Sequence, residues 1–216
     1  MGLKRTQQRR EIILGGPLYL EPAGLLEPVA VFGRRAPLLV DVGAARARYF
    51  LNVAPQLPQV DFLGIEVSKK RVEAALARLA RRGITNCRMV WGDATRVLAE
   101  HLAPGSAAAI TVLFPDPWPK RRHARRRLLH RPEVVRLLAE RLAPGGLLWF
   151  KTDDPAYFEE AQRRLAAEPL LAPADGLRVA LPGLAPFDLD LPEPTYYEQL
   201  WQQQGRRIHG AAWRRR

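Results

Sequence analysis

Short apolar runs alternate with longer amphipathic segments from Leu38 onward, and this alternation is the main feature of the chain's hydropathy pattern. Such an alternation is typical of buried parallel strands separated by helices. We predict five strands, over Leu38–Val42, Asp61–Val67, Cys87–Trp91, Ala108–Phe114 and Leu147–Thr152. With the segments between them read as helices, the pattern predicts an α/β fold built on a doubly wound, mostly parallel sheet.

The clearest helical pattern lies between the second and third apolar runs. Ser68 is placed to cap the start of this helix, Gly83 is placed to end it, and four apolar residues share one face: Val72, Ala75, Leu76 and Leu79. Two further helices are predicted over Pro132–Leu142 and Pro155–Leu165, each opening on a proline, which suits the first turn of a helix. Each of these helices is expected to pack one face on the sheet.

The two ends of the chain are less regular than its centre. Residues 1–36 are interrupted by Gly and Pro and show no sustained period, so they predict an irregular N-terminal arm ahead of a single domain over residues 37–216. No secondary structure can be assigned over Glu168–Pro194. The aromatic residues within Thr195–Trp213 are compatible with an edge strand.

The charge balance changes the picture from a generic α/β domain to one with a polyanionic partner. The chain has 34 Lys and Arg against 22 Asp and Glu, which predicts binding to RNA, DNA or an anionic membrane surface. Cys87 is the single cysteine, so neither a disulfide framework nor a cysteine-rich zinc site is expected, and we predict no metal. No apolar stretch is long enough for a transmembrane helix, and a cytoplasmic protein is expected.

Acidic residues stand at the ends of four predicted strands: Asp41 and Glu66 close the first and the second, and Asp93 and Asp116 follow the third and the fourth. Ligands of open α/β sheets bind beyond the carboxyl ends of the strands, and an acid after the second strand suits the two ribose hydroxyls of an adenosine, so Glu66 is the candidate for that contact. S-adenosylmethionine carries a sulfonium and an ammonium group but no phosphate, so carboxylates favour this cofactor over NAD. The alternative for any one of these acids is a helix N-cap.

The loop after the first strand contains one glycine where nucleotide-binding loops usually carry two or three. It reads Asp41 to Ala47 as DVGAARA, so Gly43 is followed by Ala45 and Ala47. The missing G-x-G-x-x-G pattern argues against an NAD-dependent oxidoreductase. Because alanine disfavours positive φ, a simple strand-to-helix turn without a cofactor is the alternative at this loop.

In the segment FPDPWPKRRHARRRLLHR, an aspartate between two prolines is followed closely by a run of basic residues. Pro115 and Pro117 restrict the backbone on either side of Asp116, and Trp118 follows. Residues 120–131 then contain seven Lys or Arg, two His and no acid. The segment indicates phosphate binding beside a reaction centre, and the alternative for such a run is a solvated basic loop.

These residues resemble a known family. FPDPWPKRRHARRR is similar to the signature of the bacterial tRNA (guanine-N7-)-methyltransferases, and the resemblance continues through FLGIEVSKKRV, the WGDA acid, LAPGGLLWFKTDD and PTYYEQLWQQQGRRIHGAAW, over about residues 38 to 213. It implies the seven-stranded, Rossmann-like class I methyltransferase fold, S-adenosylmethionine as cofactor, and methylation of guanine N7 at position 46 in the tRNA variable loop.

The resemblance also assigns roles to individual residues. Cofactor contacts are implied for Asp41, Gly43, Glu66, Asp93 and Asp116, and Asp116 is our candidate catalytic residue. Substrate contacts are implied for Lys120, Asp153, Thr195, Tyr196, Tyr197 and Glu198, with Arg122, Arg125, Arg126 and Arg127 along the RNA.

The chain departs from the family pattern at the cofactor loop, where Asp41 stands for the usual Glu and Ala45 and Ala47 stand for glycines. Two hypotheses therefore remain from the sequence: an active tRNA methyltransferase, or a non-catalytic tRNA-binding protein or chaperone on the same fold. Monomer and homodimer both remain open.

Overall fold

The computed structural model describes residues 16–21, 23–118, 125–189 and 196–216, the side chains of residues 196 and 197 apart. The helices are α1 (Pro28–Phe32), α2 (Arg48–Val53), α3 (Lys69–Arg81), α4 (Ala94–His101), α5 (Pro132–Arg141), α6 (Pro155–Ala166) and α7 (Tyr196–Gln203), with a 3-10 turn at Leu128–His130. The strands are β1 (Leu38–Val42), β2 (Asp61–Glu66), β3 (Cys87–Trp91), β4 (Ala107–Leu113), β5 (Leu142–Thr152), β6 (Leu171–Pro173), β7 (Arg178–Val179), β8 (Phe187–Asp188) and β9 (His209–Arg215).

Seven of these strands form one sheet in the order β3-β2-β1-β4-β5-β9-β6. The pairs among β1 to β5 are parallel, and β9 is antiparallel to both of its neighbours. This arrangement confirms the predicted doubly wound, mostly parallel α/β fold. The order reverses direction beside β1 and β4, so a crevice opens there at the carboxyl edge of the sheet.

The central strands are buried because helices cover both faces of the sheet. One core lies between the sheet and helices α2 and α3, and the other lies between the sheet and helices α4, α5 and α6. Gly64 in β2 lets the first layer pack closely: an added Cβ would lie 2.8 Å from Ala44 Cβ and 2.9 Å from Phe50. The loop after β1 can therefore sit directly on the sheet only because residue 64 has no side chain.

The structure corrects the predicted C-terminal region. The segment that was compatible with an edge strand contains helix α7, followed by β9, which lies inside the sheet between β5 and β6. Buried and exposed residues alternate only weakly along β9, because most of its residues are partly buried. The unassigned Glu168–Pro194 stretch contributes β6 and the small β7–β8 pair.

Strand boundaries and the arm also differ from prediction. β5 begins at Leu142, five residues earlier than predicted, because the chain enters the sheet directly from α5 through Pro144 and the two glycines. Part of the arm is ordered against the domain: Tyr19 forms a bridge with Met89 and Leu26 one with Leu102, and α1 is a single short helix.

Candidate active site

Two adjoining cavities lie at the carboxyl edge of the sheet, around the loops that follow β1, β2 and β4. The first, of about 320 Å³, lies beneath α7 and is lined by Asp41, Gly43, Ala44, Ala45, Arg46, Arg48, Tyr49, Arg71, Leu113, Phe114 and Leu200. The second, of about 270 Å³, extends toward β3, and its lining includes Glu66, Val67, Asp93, Asp116, Trp118 and Arg126. The two cavities form one continuous cleft, because they share five lining residues: Gly43, Ala45, Arg71, Leu113 and Phe114.

Asp41 is a buried carboxylate at the end of β1, 4% exposed in the first cavity. Its Oδ1 accepts a hydrogen bond of 2.7 Å from the Thr111 hydroxyl, since β1 and β4 are neighbours and pair Asp41 with Thr111 in register. Burial is the main cause that raises the pKa of Asp41 to about 7, and repulsion by Glu66 adds to it, while the Thr111 hydrogen bond opposes it. A cation placed in this cavity would relieve the cost of the buried charge.

Glu66 at the end of β2 organises the loops on both sides of it. Its Oε2 accepts a 3.0 Å hydrogen bond from the backbone N–H of Ala45, and its Oε1 accepts a 2.8 Å bond from the N–H of Ser68. The Arg71 guanidinium lies 3.7 Å from Oε1. Because each carboxylate oxygen can accept two hydrogen bonds, Glu66 keeps acceptor capacity toward the cavity that it lines.

The alanine-containing loop adopts the backbone conformation expected of glycines. Ala45 has φ of 49° and Ala47 has φ of 53°, both left-handed. Among the described residues, positive φ outside glycine occurs at just two other positions, Phe114 and Trp118, in the loop after β4. All four positions lie at the edge of the sheet where the cleft opens. Strained backbone of this kind costs about 1–3 kcal/mol per residue and concentrates at functional sites.

We expect Ala45→Gly to raise the free energy of unfolding by about 0.5–1 kcal/mol, because the relief of left-handed strain exceeds the added freedom of glycine in the unfolded chain. Thermal unfolding should show an increase of about 2–4 °C for each kcal/mol gained. Ala47→Gly is the matched comparison: its φ is similar, but its methyl group is fully buried, so the lost packing should cancel most of the gain. Equal effects at both positions would contradict this account.

The two remaining predicted acids behave differently from each other. Asp93 lines the second cavity, but it also caps α4, since its Oδ1 accepts a 3.0 Å hydrogen bond from the N–H of Arg96. Asp93 is therefore both a helix N-cap, as the alternative proposed, and a lining residue of the cleft. Asp116 is exposed, lines the same cavity, and has no hydrogen-bond partner among the described residues. Within the described part of the chain, no other side chain or backbone group occupies its carboxylate.

The structure divides the basic segment into surface and buried residues. Arg125 and Arg126 are exposed, and the Arg126 guanidinium lies over the Trp118 ring at 5.0 Å. Arg127 differs from them, because it is 8% exposed and its Nε donates a 2.6 Å hydrogen bond to the Pro117 carbonyl, and the RNA contact implied for it stays a prediction. Its guanidinium also lies 3.5 Å from Asp154, so it holds the loop in place. The predicted contacts Lys120 and Arg122 lie outside the described residues.

The predicted substrate contacts near the C-terminus are partly engaged in ion pairs. Glu198 on α7 is 6% exposed and accepts a hydrogen bond from Lys151 Nζ at the end of β5, which fixes α7 above the first cavity. Asp153 is paired with Arg206 at 2.6 Å and does not line either cavity. Thr195 lies outside the described residues, as do the side chains of Tyr196 and Tyr197.

The sequence interpretation did not single out Tyr49, which lines the first cavity, or Thr111, which supports Asp41 from β4. Tyr49 reads as a core aromatic of α2, yet this residue lines the first cavity, and its buried hydroxyl has no hydrogen-bond partner in the part of the chain that the structure describes. Burial, with Asp41 and Glu198 nearby, raises the pKa of Tyr49 above its ordinary value, so the hydroxyl stays a donor. Thr111 gave a signal, since it is a polar residue inside an apolar run.

The cleft fits a ligand that carries both positive charge and hydrogen-bonding groups. Asp41 supplies a buried carboxyl group whose ionised form a cation would favour, Glu66 supplies acceptors, and the Tyr49 hydroxyl, which has no partner among the described residues, supplies a donor. Such buried polar groups are costly unless a ligand completes their hydrogen bonds. Among the described residues, no helix is long and apolar enough to cross a membrane, and no cluster of side chains is suited to hold a metal ion.

Comparisons with known proteins agree with this geometry. A family model described as "Putative methyltransferase" matches residues 35–211. The tRNA (guanine-N(7)-)-methyltransferase of Leifsonia xyli is 42% identical over 183 residues, which cover 84% of this chain and 80% of the relative. This chain belongs to the tRNA (guanine-N7-)-methyltransferase family. The family's protein from Thiobacillus denitrificans is 36% identical over 97% of this chain and 89% of its own length, and that from Mycobacterium avium is 38% identical over 90% and 73%.

Solved structures show the same fold at low sequence identity. The 16S rRNA methyltransferase KamB matches with a TM-score of 0.58 at 18% identity, covering 85% of this chain and 90% of its own. The 16S rRNA (adenine(1408)-N(1))-methyltransferase from Catenulisporales acidiphilia, solved with its cosubstrate, matches with a TM-score of 0.56 at 19% identity, covering 88% and 91%. The predicted class I methyltransferase fold is therefore confirmed.

Proposed function

We propose that this protein transfers a methyl group from S-adenosylmethionine to N7 of a guanine in tRNA, and that the guanine is the one at position 46 of the variable loop. The observation that supports it best is the single cleft in which Asp41, Glu66 and Asp116 converge at the switch point of the sheet. Membership of the tRNA (guanine-N7-)-methyltransferase family supports the substrate. Arg125 and Arg126 at the mouth supply positive charge for the RNA.

The residues of the cleft suit the two ends of the cofactor. Glu66 would accept hydrogen bonds from the ribose hydroxyls in the second cavity, where the exposed Val67 offers an apolar surface for the base. Asp41 would attract the ammonium group of the cofactor's methionine end in the first cavity, with the Tyr49 hydroxyl as a donor there. When bound, S-adenosylmethionine supplies a methyl group activated by the sulfonium charge.

The chemistry of guanine N7 decides what the protein must provide. N7 carries an in-plane lone pair and is unprotonated at neutral pH, so no general base is needed, and catalysis depends on positioning and on charge stabilisation. Methylation leaves positive charge on the base, which makes its N1 and N2 hydrogens better donors. Asp116 would accept from that edge and so favour the transition state over the ground state.

The activity is tested by radiolabelled methyl transfer from S-adenosylmethionine to an unmodified tRNA transcript. The matched control is the same transcript with adenine at position 46. We expect label in the guanine transcript alone. Equal label in both transcripts would contradict the proposed position, and no label in either would contradict the activity itself. In that last case, retained tRNA binding would favour the non-catalytic alternative.

The raised pKa of Asp41 predicts opposite pH trends for stability and for cofactor affinity. Because burial raises this pKa from 3.8 to about 7, the folded protein holds a proton that the unfolded chain has lost in this window. The contribution of Asp41 to stability is therefore fully present below pH 4 and decreases as the pH rises through 7, by at most about 1.4 kcal/mol per pH unit. A cationic cofactor prefers the ionised carboxylate, so its affinity should rise over the same range and level off above it.

Thermal unfolding without cofactor and calorimetric titration of S-adenosylmethionine, both between pH 5.5 and 8, measure the two trends. Asp41→Asn is the control variant, because it cannot titrate and keeps an oxygen that can accept from Thr111. We expect both slopes to be smaller in this variant. Unchanged slopes would show that Asp41 does not titrate in the cleft.

The cell compartment follows from the substrate. A protein that modifies tRNA works where tRNA is processed, so we propose a cytoplasmic location. The buried single thiol of Cys87 is compatible with the reducing conditions there.

A further inference from the structure

Three arginines form a positively charged strip beside the cleft, on the side of the molecule opposite α6. Arg46 lies in the loop after β1, and Arg78 and Arg81 lie in the second half of α3. We call these three residues the α3 arginine strip. Helices α2 and α3 cover one face of the sheet, whereas α4, α5 and α6 cover the other. The strip is therefore a surface separate from the basic segment after β4.

The members of the strip are close enough to repel one another. The pKa of Arg78 is lowered, first by partial burial and then by the positive charges of Arg48, Arg46 and Arg81. In the part of the chain that the structure describes, Arg46, Arg78 and Arg81 form no ion pair with an acid. Helix α3 itself contains five basic residues and one acid, Glu73.

On the opposite face of the sheet, three arginines of α5 and α6 are paired with acids. Arg163 and Arg164 on α6 both pair with Glu160, at 2.5 and 2.9 Å. Arg136 on α5 pairs with Glu140 and Glu168, at 2.8 and 3.0 Å. In the strip, by contrast, no described acid offsets the repulsion between the arginines. Such repulsion destabilises the folded state slightly, and a polyanion bound across the arginines would offset it.

The strip continues directly from the mouth of the cleft. Arg46 lines the first cavity, and so does Arg71 at the start of α3. Arg78 and Arg81 follow Arg71 by seven and ten residues, or about 10 and 15 Å along the helix axis. This span matches two or three successive phosphates of a nucleic-acid strand, which makes a strand leading away from the cleft the natural partner.

We propose that the α3 arginine strip binds the phosphate backbone of tRNA and forms a second contact surface, distinct from the Arg125–Arg126 region. This inference rests on the proposed function, which supplies tRNA as the polyanion. The strip would position the tRNA without reading its sequence, because phosphate contacts fix orientation alone. Arg78 and Arg81 would therefore affect tRNA affinity and leave cofactor binding unchanged.

The test is the double variant Arg78→Gln with Arg81→Gln, compared with Arg163→Gln with Arg164→Gln. Both remove two positive charges, and glutamine is a good helix former, so long-range charge and helix propensity are matched. The dissociation constant for unmodified tRNA is measured at several salt concentrations, together with methyl transfer and cofactor affinity. We expect the strip variant to bind tRNA about tenfold more weakly at about 0.15 M salt. The negative slope of log K against log salt should become about 2 smaller in magnitude, because two phosphate contacts are lost.

The control variant should change tRNA affinity by less than about twofold, with a salt slope close to that of the wild type. Equal losses in both variants would overturn the inference, because net charge alone would then explain them. Full tRNA affinity in the strip variant would also overturn it. The proposed function fails separately, if the wild-type protein itself transfers no methyl group to tRNA.

Discussion

Asp116→Asn is expected to lower kcat for methyl transfer to tRNA by about 100- to 1,000-fold, the range found when one transition-state hydrogen-bonding group is removed. Asparagine keeps the size of the side chain but loses the negative charge that would stabilise the methylated base. Asp116 is exposed and has no hydrogen-bond partner among the described residues, so its replacement should leave folding intact. Single-turnover methyl transfer with saturating cofactor measures the effect on the chemical step.

The control for this variant is Asp175→Asn, which removes the charge of an exposed aspartate in the loop after β6. We expect kcat of that variant to equal the wild-type value, and tRNA affinity of Asp116→Asn to stay within about twofold of wild type, since the contact that we propose for Asp116 is with the base and not with the phosphates. An Asp116→Asn protein that retains half of the wild-type kcat would contradict the catalytic role of this residue.

Glu66→Gln is expected to weaken S-adenosylmethionine binding by about 100-fold. The Glu66 carboxylate accepts from the Ala45 and Ser68 N–H groups, and it faces the cavity where we place the ribose. Glutamine has one acceptor oxygen, so its NH₂ group would meet one of these two donors, and the charged bonds to the ribose would be lost as well. Charged hydrogen bonds contribute about 1.5–3 kcal/mol each, and about 2.7 kcal/mol in total corresponds to 100-fold in affinity.

Calorimetric titration gives the cofactor affinity, and tRNA binding measured on the same preparation shows whether the fold persists. Glu100→Gln is the comparison, because Glu100 is a half-exposed surface acid paired with Arg96. That variant should bind the cofactor normally. Wild-type affinity in Glu66→Gln would exclude the ribose contact, and a parallel loss of tRNA binding would mean that the loops around Glu66 have collapsed.

Several parts of the site could be predicted because they depend on short stretches of sequence. Apolar runs flanked by amphipathic helices specify a parallel sheet, and the acids that end those runs must then meet at one edge. Asp41, Glu66 and Asp116 were placed in the cleft in this way. The backbone of the Pro-Asp-Pro-Trp element could likewise be predicted to be restricted, because proline fixes φ without any contact from distant residues.

Other features required the tertiary structure because they depend on residues far apart in the chain. Arg127 belongs to a basic run by sequence, yet burial against Pro117 and Asp154 removes it from the surface. The fixation of α7 by the Lys151–Glu198 pair joins residues 47 positions apart. Local patterns carry no information about such pairings, since the same residue types on a surface would be solvated.

The sequence by itself determined the doubly wound α/β fold, the acids at the strand ends and the positive charge that suits RNA, because periodicity, composition and motif spacing are local properties. Only the tertiary structure decided that Ala45 and Ala47 adopt the left-handed conformation, that Tyr49 lines the cleft, and that β9 lies inside the sheet. These features arise from packing between distant segments: Gly64 makes room for the loop after β1, and that contact is absent from any stretch of sequence read alone.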